Sequence, residues 1–388
     1  MSCFVRGHTN SLGMAGDNLL ITSAAVEPSE TKEQSLREYL EKYFALSARE
    51  SAIRQKCLYS IEIELTNKCN LECPYCYSDS TCQQNKSLDA SVVRQVLKDG
   101  REHGLRSVSW FGGEPLLYPD LFDVLQYAKE LDYVESIVYT NGTLLNIESA
   151  KRLRGLISGV AVHLDTLSTQ AFQAVHFRKS PERAAMLHGN ILRSFDNLFS
   201  AGFSPEEIRL TLTLCKPVCD GLEELFDWAF NAMDLQTSIF IPLAPFGRGK
   251  NLSRDWYPNE DEAKRAYELR AEYEQRPYLL RLGIAEYCKQ CQMTSCYITA
   301  NGNITPYAGS SRILGSLYDG SFNEIVRRGV EKLTYWECVA NDRNSIITGQ
   351  CFNCDHDLYC FGNPVFMESI QIKCPFKRPK RKQSDLLS

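Results

Sequence analysis

The chain of 388 residues has no apolar run approaching the ~20 residues that span a bilayer. Its start, Met1 to Leu20, holds Arg6 and His8 but no apolar stretch of the kind a secretion signal carries. These absences make the cytoplasm the expected location. Positive charge is not in excess either. Lys and Arg number 43 against 48 Asp and Glu, a formal net charge of −5. General affinity for nucleic acid rests on a basic surface, so no nucleic-acid partner and no membrane partner is expected. The one basic run is the tail at 377–388, with Lys377, Arg378, Lys380, Arg381 and Lys382. It reads as a solvated end, with contact to an acidic partner as the alternative. Internal repeats are missing as well. With 44% hydrophobic and 23% charged residues, the composition is that of a globular chain with a sizeable core.

Cysteine is what the chain has in quantity: 16 residues. In a small secreted protein that number would indicate disulfides. A long chain with its own core and no export signal points instead to metal ligation. The thiols are also grouped, three at 69–76, three at 288–296 and four at 351–374. Cys3, Cys57, Cys82, Cys215 and Cys219 fall outside the groups and read as ordinary small residues. Cys338 is left undecided.

Along the chain, residues 1–56 read as an extension with one amphipathic helix at 32–56, carried by Leu36, Tyr39, Leu40, Tyr43, Phe44 and Leu46. From 57 to 250, strands and helices alternate. The strand candidates are Tyr59–Leu65, Ser107–Phe111, Ser136–Tyr139, Val160–Leu164, Ile208–Leu214 and Ser238–Leu243. Helical stretches at 88–103, 119–131, 147–156, 168–200 and 220–233 separate them. Parallel strands need such crossovers, so the pattern predicts a parallel sheet with helices outside. Six units fall short of a closed eight-stranded barrel, and an open, partial α/β barrel is the expectation. A charged helix at 259–275 lies in a linker at 251–287. Residues 288–376 form a Cys-rich α+β region with strands at Ser295–Thr299 and Asn303–Tyr307 and turn chemistry at Asn301-Gly302. Bound metal is expected to hold that region together.

The first thiol group follows the first strand as Thr66-Asn67-Lys68-Cys69-Asn70-Leu71-Glu72-Cys73-Pro74-Tyr75-Cys76-Tyr77. Its C-x3-C-x2-C spacing puts three thiols on one loop at the C-terminal mouth of the barrel, where such folds place their chemistry. Three thiolates can bind three irons of a cube and leave the fourth open to a ligand. The alternative is zinc. A structural zinc site takes four ligands, usually as two pairs, and Cys82 is not in a pair spacing.

This pattern resembles the radical S-adenosylmethionine (SAM) superfamily. Trp110-Phe111-Gly112-Gly113-Glu114-Pro115 closes the second strand and is similar to the family's GGEP. Tyr139-Thr140-Asn141-Gly142 closes the third as its TNG. His163-Leu164-Asp165 ends the fourth, where relatives often have Ser-Leu-Asp-Gly, so His163 and Thr166 are departures. Ile241-Pro242-Leu243 and Gly247-Arg248-Gly249 end the sixth and resemble a GRG turn of one branch. The resemblance covers about 58–250. It implies a partial (βα)6 radical SAM barrel with a [4Fe–4S] cluster on Cys69, Cys73 and Cys76. It also implies SAM contacts from Gly112 and Gly113, whose backbone approaches the methionyl end, and from Glu114, which receives its amino group. Tyr77 would pack on adenine. Asn141 and Asp165 are further cofactor-binding candidates, as is Arg178 beside His176. In the family the reduced cluster cleaves SAM, and the 5′-deoxyadenosyl radical takes a hydrogen atom from the substrate. An external reductant such as flavodoxin or ferredoxin is implied. No general base is named by the resemblance.

The C-terminal thiols resemble the SPASM domain, an extension that carries auxiliary [4Fe–4S] clusters. Cys351, Cys354, Cys360 and Cys374 would close one cluster. A second is less complete, because Tyr307 and Pro364 stand where relatives have Cys. The group Cys288, Cys291 and Cys296 could replace them, alone or with Cys338; zinc or no metal are the alternatives. Ala308 stands where sulfatase-maturing relatives carry a proton-accepting Asp, which argues against that activity. The expected function is therefore radical modification of a ribosomally made peptide by crosslinking, epimerisation or oxidation. Two other readings stay open. One is a small-molecule dehydrogenase or decarboxylase acting on a sugar or nucleoside, and the other is a non-catalytic iron–sulfur or zinc scaffold. Glu62 and Glu64 alternate on the first strand as inward carboxylates, functional or ion-paired. His356 reads as an exposed loop residue, and His103 and His188 as helix positions.

Overall fold

The computed structural model describes residues 38, 41–43, 45–55, 57–176, 179–243, 246–274, 294–306, 308–310 and 313–332. The strands are β1 (Ser60–Glu64), β2 (Ser107–Phe111), β3 (Glu135–Thr140), β4 (Gly159–His163), β5 (Ile208–Leu214) and β6 (Ser238–Pro242), followed by β7 (Ser295–Ile298), β8 (Asn303–Thr305) and β9 (Gly315–Ser316). The helices of more than one turn are α1 (Leu46–Gln55), α2 (Ala90–Glu102), α3 (Leu121–Glu130), α4 (Ile147–Leu153), α5 (Thr169–Val175), α6 (Pro181–Ser200), α7 (Leu222–Phe226), α8 (Glu260–Tyr273) and α9 (Phe322–Lys332). One sheet holds all nine strands in the order β6-β5-β4-β3-β2-β1-β7-β8-β9. β1 to β6 run parallel to their neighbours, each joined to the next through a helical crossover. This is the partial (βα)6 barrel that the alternation predicts.

The two faces of the sheet differ because side chains alternate along each strand. Ile61, Ile63, Val108, Trp110, Val138, Val160, Val162, Leu210 and Leu212 are fully buried against the helix layer. The other face lines the barrel interior and is polar and aromatic. It carries Glu62 and Glu64, Phe111 stacked on Tyr139 at 4.3 Å, His163, Thr211 and Thr213. An apolar outer face fixes the register, since a one-residue slip would drive the carboxylates into the core.

Five elements differ from the sequence expectation. The helix expected over 32–56 is interrupted at Ala45, which has φ 49°. There the Glu41 carboxylate accepts the Ser47 amide at 2.8 Å and caps a new helix, α1. The stretch at 168–200 divides into α5 and α6 because Pro181 cannot continue a helix; Ser180 caps the second one through the Arg183 amide. Residues 220–233 hold only the short α7 before a π-helical turn at Asp227–Ala232. Residues 288–376, with strands at Ser295–Thr299 and Asn303–Tyr307, were expected to form a separate Cys-rich unit. Instead β7 pairs in parallel with β1, and β8 and β9 extend the same sheet as antiparallel strands. The expected linker helix is also docked on the barrel. At its C-cap, Glu274 accepts from the Ser238 amide at 3.0 Å and hydroxyl at 2.7 Å at the start of β6.

Arg49 of α1 seals the bottom of this arrangement. Its guanidinium donates to Ser60 on β1 at 3.0 Å and to Thr294 before β7 at 2.8 Å, and it stacks on Tyr59. The mouth is left to the loops that follow the strands.

Candidate active site

The loop after β1 carries Cys69, Cys73 and Cys76, all free thiols. It leaves the strand through Leu65, whose amide donates to Phe111 O at 2.9 Å. Cys69 donates its amide to Thr81 O at 3.0 Å, closing the loop on itself. The Leu71 amide then points at the Cys69 sulfur from 3.4 Å.

Four other loops hold this one, each from a different strand end. After β2, the Gly113 amide donates to Thr66 O at 2.6 Å and the Glu114 amide to Lys68 O at 2.9 Å. A Cβ on Gly113 would lie 2.3 Å from Lys68 O and 2.9 Å from Cys69 Cβ, so only glycine permits this approach. After β3, the Asn141 side-chain amide donates to Asn70 Oδ1 at 3.0 Å and reaches the Cys69 sulfur at 3.7 Å. Beyond β4, the Asp165 carboxylate accepts a short hydrogen bond from the Tyr75 hydroxyl. Beyond β6, Arg248 donates Nε to Cys73 O at 2.9 Å and Nη1 to Asp79 at 3.0 Å, and its amide donates to Cys76 O at 2.9 Å. Gly247 has φ 49° there, and a Cβ on it would lie 2.3 Å from Cys76 O. Thus the five motifs of the sequence meet at one place. The ion pair of Lys179 with Glu72 at 3.3 Å adds a further tie.

The thiols suit a metal better than solvent. Burial pushes Cys69 up to about 12, reinforced by the nearby Glu114 carboxylate. Cys73 is held well above the usual thiol range by burial and by its neighbours Cys69 and Cys76. Two buried thiols whose ionisation is opposed, on a loop locked by four others' hydrogen bonds, are relieved by a bound cation. Among the described residues no three His, Cys, Asp or Glu side chains converge as around a single ion. The ligands of a cube bind three different irons and need no common point, so three thiols on one loop fit a cluster.

The remaining candidates divide. Glu114 is fully buried and accepts from Thr140 Oγ1 at 2.7 Å, Leu116 N at 3.1 Å and Asn141 N at 2.8 Å. Its carboxylate braces the Gly112-Gly113 loop against β3. Asp165 is likewise occupied, by Tyr75, the Thr213 amide at 2.7 Å and His163 at 3.0 Å. Tyr77 turns to the opposite wall, where its hydroxyl lies 3.0 Å from that of Tyr297 on β7. Tyr297 in turn donates to Glu64 at 3.3 Å. Burial pushes both Glu62 and Glu64 up to about 7. His188 is a buried helix residue paired with Thr166 O and Thr169. Arg178, Cys288, Cys291, Cys338, Cys351, Cys354, Cys360, Cys374 and His356 lie outside the described residues.

Cys296 is a correction. It sits in β7 opposite Ile61, 3% exposed, among the apolar side chains between sheet and helices. Burial raises its thiol, and the alternation that turns Tyr297 inward turns Cys296 away from the interior. It is a core residue, and the expected group with Cys288 and Cys291 loses its third member. Sequence reading missed Asn70, Tyr75 and Tyr297 as site residues. For Tyr75 a signal was available, since it lies inside the cysteine motif.

Residues 63–229 match the model of the Radical SAM superfamily. A protein of Methanococcus maripaludis (strain C5) described as "Probable GTP 3',8-cyclase" is 24% identical over 64% of this chain and 84% of its own length. Further relatives of that description are matched over 53–60% of their lengths. Among solved structures, Streptococcus suis SuiB bound to the precursor peptide SuiA aligns with TM-score 0.58 and 17% identity, covering 94% of this chain and 83% of SuiB. The protein anSMEcpe with bound AdoMet and the Cp18Cys peptide aligns with TM-score 0.57 and 16% identity, covering 78% and 87%. These likenesses carry the fold, and the stretch 63–229, on whose cysteine loop the other motifs converge, is a radical SAM domain.

Proposed function

We propose that Cys69, Cys73 and Cys76 hold a [4Fe–4S] cluster whose open iron takes SAM, and that the substrate enters the polar barrel interior. The observation that carries this is the convergence of four separate strand-end loops on the cysteine loop. When bound, cluster and SAM supply a radical able to take hydrogen from an unactivated carbon. The chain's own contribution is geometric. Gly112 and Gly113 keep side chains out of the mouth, Glu114 and Asn141 hold the neighbouring backbone, and Arg248 fixes Cys73 and Cys76.

The substrate class we favour is a ribosomally made peptide, modified by crosslinking, epimerisation or oxidation. Two structural neighbours are described with peptides bound. The curated relatives favour a second reading, a nucleotide, since they are described as GTP cyclases. The interior here argues against a triphosphate. Glu62 and Glu64 line one wall, while Arg49 and Arg209 are engaged with Ser60, Thr294 and Tyr43 O. Above about pH 7, where both are ionised, a polyanion beside two carboxylates is repelled. Cys351, Cys354, Cys360 and Cys374 would hold an auxiliary cluster that accepts an electron from the product radical, with flavodoxin or ferredoxin as reductant. Residues 288–376 would form a SPASM-like extension whose strands β7 to β9 continue the barrel sheet. Among the described residues, no helix is long and apolar enough to cross a membrane. Anaerobic turnover with candidate deuterated peptides and with GTP, followed by mass spectrometry, tests the choice. Deuterium in 5′-deoxyadenosine from a peptide supports it; transfer from GTP alone overturns it.

A further inference from the structure

Tyr75 lies in the chain between two of the three cysteines, and it packs with Val175, Cys215, Val218 and Leu243, with Cys73 against the same cluster. Its hydroxyl donates to Asp165 Oδ2. Asp165 Oδ1 accepts from the Thr213 amide at 2.7 Å and faces His163 Nε2 at 3.0 Å. On the far side of the imidazole, Nδ1 lies 3.4 Å from Thr211 Oγ1. That hydroxyl is also 3.3 Å from Val162 O, to which only it can donate. His163 Nε2 also lies 3.2 Å from the Tyr75 hydroxyl, so the imidazole, the Asp165 carboxylate and the Tyr75 hydroxyl form one contact group.

Asp165 is 5% exposed, and a buried carboxylate is tolerated only when paired and hydrogen-bonded. Other groups nearby do not supply a positive charge. Burial pulls His176 down to about 4, and Cys215 is held up as a neutral thiol by burial and by the Asp165 charge. Lys179 is committed to Glu72. His163 itself would be lowered by burial, but the Asp165 charge and hydrogen bond outweigh this and raise it.

We infer that His163 and Asp165 form a charge-neutral bracket that anchors the cysteine loop through the Tyr75 hydroxyl, making His163 a positioning residue of the radical-generating site. The fourth-strand Ser of the resembling family could not play this part, because it has no charge to give. The inference rests on the reading of Cys69, Cys73 and Cys76 as cluster ligands, but its test does not depend on a cluster.

The experiment compares wild type, His163→Gln and the double variant His163→Gln/Asp165→Asn in full-length protein freed of iron. Each is labelled anaerobically with iodoacetamide, and the rate at each cysteine is read by peptide mapping. In His163→Gln the unpaired carboxylate loosens the loop, and Cys73 labels faster by about tenfold or more. The double variant, again uncharged, labels Cys73 near the wild-type rate. Labelling of Cys296, on the opposite wall, reports whether the barrel itself has opened. If His163→Gln unfolds while the double variant folds, the bracket is supported by that contrast. A single variant with unchanged Cys73 labelling, or a double variant no better protected than the single, overturns it. In the reconstituted enzyme, kcat for 5′-deoxyadenosine formation falls in the single variant at matched iron content. Failure of every protein, wild type included, to form 5′-deoxyadenosine would overturn the cluster reading instead and leave the labelling result standing on its own.

Discussion

Replacing Glu64 with glutamine removes an ionisable group from the barrel interior while keeping its shape and an acceptor for Tyr297. Glu64 is 5% exposed, and burial raises its carboxyl from 4.5 to about 7. A folded-state value above the unfolded one means that the folded chain holds a proton the unfolded chain has released. Stability therefore falls as pH rises from 4.5 to 7 and stays lowered above. The shift corresponds to a penalty on the order of 3 kcal/mol at pH 8, of which only about 1 kcal/mol is present at pH 5.5. Glu64→Gln lifts the penalty. Urea denaturation of wild type and variant at both pH values should show the variant gaining roughly 2 kcal/mol more at pH 8 than at pH 5.5. An equal effect at the two pH values would refute the reasoning, because it would place an ionised Glu64 in the folded protein throughout the range.

Other outcomes follow from the loop contacts. Gly113→Ala forces a methyl onto Lys68 O and Cys69 Cβ, and should cost roughly 1–3 kcal/mol and reduce iron incorporation. Gly189→Ala, on the helix α6 with no heavy atom nearer than 3.5 Å, should instead stabilise by about 0.5–1 kcal/mol in the same denaturation assay. Asn141→Ala removes the N–H donor to the Cys69 sulfur, and EPR-monitored titration should show that cluster's potential falling by roughly 20–60 mV. Arg248→Met leaves the Cys73 carbonyl without its side-chain donor; the loss of a buried partner, about 1–3 kcal/mol, should appear as a lower melting temperature and faster iron loss.

The barrel was legible because its signals are local. β-branched runs at regular spacing mark every strand from β1 to β6 to within a residue or two, and the cysteine spacing with the glycine motifs marks the strand ends that matter. What escaped was long-range. Nothing in Ser295–Ile298 says that the strand pairs with Ser60–Ile63, more than 200 residues away, and so nothing placed Cys296 in the core rather than at a metal. Motif resemblance names Glu114 and Asp165 as cofactor contacts but not what holds them. Their hydrogen-bond partners, Thr140, Asn141, Thr213 and His163, are set by the fold, and through them both carboxylates also brace loops. The break at Ala45 is of a third kind: local, but carried by a side-chain cap on a residue with no glycine to announce it.

The central claim is that the loop of Cys69, Cys73 and Cys76 holds the cluster that cleaves SAM. Anaerobically reconstituted protein should convert SAM to 5′-deoxyadenosine with a strong reductant, and Cys73→Ala should abolish this while any auxiliary cluster keeps its iron. Undiminished 5′-deoxyadenosine from Cys73→Ala, or none from fully loaded wild type, would contradict the account.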